Sequence, residues 1–170
     1  LCLQEVAVNY PALRGNAGDD QASRLAAALP GFHPYYGPAI DEGRGEGGRS
    51  RFGNLILSRW PIVDAWCLRL PWPTEAGVAS MPRACAVAVV ESPRLGRVRV
   101  MTTHLEYHGS AARLAQARAL RDHHREACAQ ALAPPPGVED GTPFRPRAHT
   151  AQALLCGDFN AAASGPEHAL

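Results

Sequence analysis

Apolar residues come in short blocks, separated by polar or glycine- and proline-rich stretches, and the blocks predict more strands than helices. "LCLQEV" (residues 1–6) is apolar except for Gln4 and Glu5 and reads as a buried strand ending in polar groups. Residues 18–29, "GDDQASRLAAAL", combine early acids with helix formers and are stopped by Pro30-Gly31. "FHPYYGPAI" reads as a short strand that its prolines confine to an edge. Residues 41–51, "DEGRGEGGRSR", hold no apolar residue and predict a mobile surface loop. Strands follow at "FGNLILS" and "IVDAWCLRL", then a loop over "PWPTEAGVASMP". "RACAVAVVE" and "RVRVMTTHLE" flank the turn "SPRLG" as a hairpin. In the second of these, Val98, Val100 and Thr102 alternate with Arg97, Arg99 and Met101, which predicts one half-exposed face. Residues 110–132 give the clearest helix, with a small apolar face of Ala112, Ala115, Ala119 and Leu120. A long loop then runs to residue 151, "QALLCGD" is the final strand, and Ser164 to Glu167 matches a capping box at the start of another helix.

Several strands per helix, with hairpins among them, point to an α/β (α+β) fold of mixed sheets covered by helices. The chain has 170 residues, 46% hydrophobic and 19% charged, enough for one domain with a real core. A net charge of +1 is not that of a protein holding nucleic acid mainly by charge, though it leaves room for contacts to one or two phosphates. Every basic residue apart from histidine is arginine, so Schiff-base and phosphate-loop lysines are excluded. Cys2, Cys67, Cys85, Cys128 and Cys156 are scattered and mostly set in apolar runs. They read as buried free thiols and favour a reducing, cytoplasmic compartment. The longest wholly apolar run, "ACAVAVV", is far too short to span a bilayer.

Candidate chemistry sits at polar residues on the ends of predicted strands: Gln4-Glu5, Thr103-His104, and Asp158 with Asn160 in "LLCGDFNA". Strand ends converge along a sheet edge, so these groups can share a cleft. A hard divalent cation takes one or two carboxylates plus water and substrate phosphate, and Glu5 offers such a carboxylate. Asp158 is placed to accept a proton from water, Asn160 to stabilise charge on a phosphoryl oxygen, and His104 to donate to a phosphate. Each has a plainer reading beside it. Asp-x-Asn after Gly is a good turn, Glu5 a solvated strand end, and His104 a half-buried histidine. His104 and His108 straddle a strand end and do not form a zinc pair, His123-His124 read as surface residues, and Arg113, Arg118, Arg121 and Arg125 as a solvated helix face.

Four segments in order, "LCLQEV", "GNLILSRWPI", "VMTTHLEY" and "LLCGDFNA", resemble the endonuclease/exonuclease/phosphatase superfamily, of the pancreatic deoxyribonuclease-like fold and here of bacterial type. The resemblance runs over nearly the whole chain. It implies a four-layer sandwich of two mixed β-sheets flanked by helices, and Mg²⁺-dependent (Mn²⁺ as substitute) hydrolysis of a phosphodiester or phosphomonoester. By the same resemblance Glu5 is the metal ligand, Asp158 orients and deprotonates water, Asn160 holds the phosphoryl group and His104 contacts the scissile phosphate. Asn54 lines the cleft and Arg83 faces the phosphate or backs the site, as substrate-binding residues. Nucleic acid, a phospholipid headgroup or an inositol phosphate all fit as substrate, and a monomer is expected. Family members also carry an Asn on an earlier strand and a later Asp and Ser-Asp-His, none of which occurs here. Residues 1–170 thus read as a single domain cut at both ends, incomplete in its sheets, inactive or nearly so alone and prone to aggregate. The alternative is a catalytically dead member acting as a binding module.

Overall fold

The computed structural model describes residues 1–139 and 141–169, and the side chain of residue 46 is left aside. Among the described residues seven strands form two sheets, flanked by two α-helices. In the first, β1 (Cys2–Val8) and β2 (His33–Gly43) flank β3 (Arg49–Ser58), both antiparallel to it. In the second, β4 (Ile62–Arg69), β5 (Ala84–Ser92) and β6 (Gly96–His104) are antiparallel in turn, and β7 (Ala153–Asp158) joins β6 in parallel. The second sheet is therefore mixed, while the first is wholly antiparallel among the described residues. Parallel neighbours need a long crossover, and α2 (Ser110–Leu132) supplies it between β6 and β7.

Alternation along the strands builds four layers. Val6, Leu55 and Leu57 pack against Leu25, Ala26 and Leu29, tying the first sheet to α1 (Gln21–Ala28). Ile56, Ala86, Ala88 and Val90 fill the space between the sheets. Cys85, Val87, Met101 and Leu105 face Leu120 of α2. Small side chains dominate the middle layer, and a Cβ on Gly37 would come within 2.8 Å of the Ala86 Cβ, so the sheets approach closely there. A leucine buried in such a core stabilises by about 2–3 kcal/mol relative to exposure. The Asp20 side chain caps α1 by accepting from Ser23 N at 2.9 Å. No helix among the described residues is long and apolar enough to cross a membrane.

Several expectations are refined or change. Residues 41–51 are not a mobile loop: they continue β2 and β3 around a 3₁₀ turn at Gly45–Gly47, held by Arg49 Nε donating to Asp41 Oδ1 (2.7 Å). Cross-strand pairing and opposite charge outweigh the glycines' disorder. The half-exposed face of β6 is that of Val98 and Val100, while Arg99 and Met101 lie on the face that α2 crosses and are both 2% exposed. The segment after the expected capping box is a 3₁₀ turn, Pro166–Ala169, and Glu167 Oε1 accepts from Arg113 Nε at 2.8 Å. Arg113 is accordingly no solvated residue: it also donates to the carbonyls of Glu106 and Tyr107. Residue 140 of the long loop and residue 170 of the final helix lie outside the described residues. All five cysteines are free thiols, but only Cys85 is buried, the other four being half-buried.

Candidate active site

Parallel pairing of β6 and β7 sets His104 opposite Asp158 at the carboxyl ends of both strands. Leu105 N donates to Asp158 O (2.9 Å), extending the pair by one step. Gly157 allows this approach: it pairs with Thr103 at φ 143°, where a Cβ would lie 1.9 Å from the Thr103 carbonyl oxygen. The "GD" of the motif is thus a packing requirement next to a chemical one.

Glu5 arrives differently. It is not at a strand end, since β1 continues to Val8. The register of β1 on β3 shifts between Leu3 and Val6, and Glu5 sits in this bulge with φ 59°. A bulge re-aims a side chain out of the pleat. The neighbouring Gln4 spans the two sheets, its Nε2 donating to Thr102 Oγ1 at 2.8 Å. The result is a histidine bracketed by carboxylates: His104 Nδ1 lies 3.6 Å from Glu5 Oε1 and His104 Nε2 lies 3.8 Å from Asp158 Oδ2. These are charge-contact distances rather than hydrogen bonds. The His104 side chain is 13% exposed, whereas those of Glu5 and Asp158 are 65% and 56% exposed and face solvent.

Glu5, Asn54, Arg83 and His104 line one small recess. Arg83 is buried, with Nε 3.6 Å from Glu106 Oε2, and its Nε and Nη1 have no hydrogen-bond partner among the described residues. Burial, then the Arg83 cation, hold the His104 pKa below the ordinary imidazole value, against the opposing pull of Asp158 and Glu5. The shift favours the neutral imidazole, which offers one N–H and one lone pair. Asn54 Nδ2 donates to Ala84 O (2.9 Å), so its carboxamide ties β3 to β5 as well as lining the recess. On the other side, Asp158 and Asn160 border an open groove of about 720 Å³ with Gln4, Tyr107 and His168. Asn160 takes a left-handed φ of 48°; its N–H donates to Asp158 Oδ1 (3.0 Å) and its Nδ2 to Leu105 O (3.0 Å). The turn reading and the site reading of "GDFN" describe one object, because the turn is what aims the carboxylate.

Glu106 did not enter the reading of the sequence. It is 1% exposed, Oε1 accepts from His108 N (3.0 Å), and Oε2 faces Arg83. Its signal in "THLEY" was a carboxylate directly after a buried leucine. Among the described residues no group of three histidine, cysteine or acidic side chains could enclose a metal ion. The exposed Glu5 carboxylate, at the mouth of the recess it shares with Asn54, Arg83 and His104, is an oxygen donor of the kind a hard Mg²⁺-type cation takes while keeping most of its water.

Two face-packed sheets between helices form an α/β sandwich, with acids and a histidine gathered where β1, β6 and β7 meet. The chain belongs to the endonuclease/exonuclease/phosphatase family, whose sequence profile matches residues 1–170. No curated protein sequence matches it. Among solved structures it is similar to an endonuclease/exonuclease/phosphatase from Beutenbergia cavernae, at 27% identity and TM-score 0.64, covering 96% of this chain and 39% of that one. A mannosyl-6-phosphatase from Bacteroides thetaiotaomicron aligns at 19% identity and TM-score 0.57, covering 87% of this chain and 50% of that one. The human Nocturnin catalytic domain with bound sulfate aligns at 18% identity and TM-score 0.60, covering 99% and 54%. The last two likenesses speak for the fold alone. The chain spans about two fifths to just over half the length of these structures.

Proposed function

We propose that these residues form part of the catalytic centre of a divalent-cation-dependent phosphoesterase, which hydrolyses a phosphodiester or phosphomonoester by attack of water on phosphorus. The observation that carries this reading is His104 held within 4 Å of both Glu5 and Asp158, on strands brought together from the two sheets. Glu5 would hold Mg²⁺ or Mn²⁺, which supplies charge neutralisation at the phosphoryl oxygens when bound.

Asp158 takes the proton of the attacking water. Its Oδ1 is fixed by the Asn160 N–H, which leaves Oδ2 toward the cleft and His104. Neutral His104 donates a hydrogen bond to a phosphoryl oxygen without adding a full charge. The second N–H of the Asn160 carboxamide does the same from the groove side, the first being committed to Leu105 O. Buried Arg83 adds fixed positive potential behind the phosphate. As the O–P bond to water forms, the bond to the leaving oxygen breaks with its electron pair, and that oxygen takes a proton from solvent. The substrate class is nucleic acid, phospholipid headgroup or inositol phosphate, all of which present the same phosphate to this constellation.

The test uses protein expressed from its natural reading frame. Hydrolysis of a chromogenic phosphodiester and monoester is followed with and without Mg²⁺, together with the Asp158→Ala variant, which should lose about 10²–10⁴-fold in rate. Mn²⁺ binding, read by water-proton relaxation, should weaken in Glu5→Gln. Unchanged Mg²⁺-dependent turnover in Asp158→Ala refutes the assignment.

A further inference from the structure

Two thiols from different sheets meet at one edge of the sandwich, and the proposed reaction uses neither. Among the described residues β1 is an edge strand of the first sheet and β7 an edge strand of the second, and their backbones come within 8 Å between Cα atoms. Cys2 of β1 and Val100 of β6 pack against the same inter-sheet cluster. Gln4 lies two residues beyond Cys2, so on the same face, and reaches Thr102 at 2.8 Å. Thr102 is in turn the register partner of Cys156 on β7. The two strands therefore aim Cys2 and Cys156 at each other across the inter-sheet layer, beside its edge. Both are half-buried, whereas Cys85 is buried and packs on the opposite face of its sheet, toward Leu120.

The hydrogen bonds around the pair have a direction. The Cys2 thiol donates to the Cys156 sulfur, and so does the Thr102 hydroxyl. Thr102 keeps its one proton for this bond because Gln4 Nε2 donates to its oxygen. When protonated, Cys156 instead donates to Met101 O at 3.6 Å. The bond from Cys2, then that from Thr102, hold the Cys156 thiol well below its ordinary value, against the opposing effect of burial. The same contact, together with burial, pushes Cys2 well above it. Burial pushes Cys67 and Cys85 up as well. One sulfur that gives up its proton readily, beside another that keeps it, is the arrangement of a peroxide-reactive cysteine with a resolving partner.

We propose that Cys2 and Cys156 form a dithiol site that a hydroperoxide converts to a disulfide tying β1 to β7. The Cys156 sulfur attacks the terminal peroxide oxygen, the O–O bond breaks with its electron pair, and the leaving oxygen takes a proton from solvent. Cys156 is then a sulfenic acid, and the charge that held the Cys2 proton in place is gone. The Cys2 sulfur attacks the Cys156 sulfur, and the displaced hydroxyl leaves as water with the Cys2 proton. The two thiols lose two electrons and the peroxide gains them. A dithiol reductant reverses the step by exchange. A disulfide needs Cα atoms about 4.4–6.8 Å apart. Two strands that are hydrogen-bonded on one side only, among the described residues, reach that spacing by a small inward shift. Glu5 follows Cys2 by three residues and Asp158 follows Cys156 by two, so closure displaces both carboxylates around His104. Resting on the phosphoesterase reading above, the disulfide is then an off switch for that site.

The experiment takes protein expressed from its natural reading frame, reduces it, and treats it with hydrogen peroxide at neutral pH. Peptide mass spectrometry after blocking of free thiols should find Cys2 linked to Cys156, and dithiothreitol should remove the link. Cys2→Ala should instead accumulate a sulfenic acid at Cys156, trapped with dimedone. In the unoxidised protein, which guards against a variant that fails to fold, iodoacetamide should label Cys156 at least about tenfold faster than Cys67. Equal labelling rates overturn the inference, and so does oxidation that spares Cys156 or links it to another cysteine. Phosphoester hydrolysis is followed on the same samples. A fall of at least about tenfold on closure, the scale expected when reacting groups are misplaced, with recovery in dithiothreitol, supports the switch. An unchanged rate with the link formed overturns it. Absence of turnover in the reduced protein would sink the phosphoesterase reading, while the cross-link alone still decides the thiol chemistry.

Discussion

Arg83 and Glu106 form a buried ion pair behind the His104 cluster, and breaking it should report on stability and on site electrostatics together. The charges are 3.6 Å apart with side chains 8% and 1% exposed; at an effective dielectric of about 20, their attraction is on the order of 4–5 kcal/mol. Removing one partner leaves the other charge buried and unpaired, so Glu106→Leu and Arg83→Met should each cost about 3–5 kcal/mol. For a chain of this size that lowers Tm by roughly 6–20 °C. The double variant removes both desolvation penalties and should recover most of the loss, giving a strongly non-additive cycle in urea unfolding at low protein concentration. The single variants must also move His104 in opposite directions. Arg83→Met deletes a cation that holds its pKa down, so the pKa rises; Glu106→Leu deletes an acid that lifts it, so the pKa falls. An NMR titration of His104 reads both. Additive stability losses, or shifts of the same sign in the two variants, would show that the pair is not the electrostatic unit described.

Two further outcomes are expected. Gly157→Ala forces a Cβ against the Thr103 carbonyl at a left-handed φ, and should cost at least about 1–3 kcal/mol and break the pairing of His104 with Asp158, visible as loss of amide-exchange protection at Leu105. Lowering the pH should destabilise the fold in a defined window. His104 and His123 both have folded-state values below the ordinary one, so the unfolded chain binds protons first. The related stability is complete above about pH 6.5 and is lost as pH falls toward the depressed values. Tm measured from pH 8 to 5 should fall, and His104→Gln or His123→Gln should each flatten the slope.

Local pattern alone carried much of this molecule. The β4 to β6 strands, the turn at "SPRLG" and the span of α2 follow from alternation, turn residues and helical periodicity, which are properties of neighbouring residues. The candidates Glu5, His104, Asp158 and Asn160 were legible because polar groups interrupted apolar runs where a core would not accept them. What lay beyond reach of pattern depended on partners distant in sequence. The stretch 41–51 reads as a loop until Arg49 and Arg51 find Asp41 across a hairpin. Glu5 reads as a strand end until pairing with β3 turns it into a bulge. Arg113 reads as a solvated arginine and Arg99 as one residue of an alternating strand; only the return of α2 over the second sheet makes the first a bracket for Glu167 and buries the second. Residue identity decided which chemistry was available, and the long-range pairing of β1, β3, β6 and β7 decided which of those groups meet, because distance between side chains is set by sheet register and layer packing.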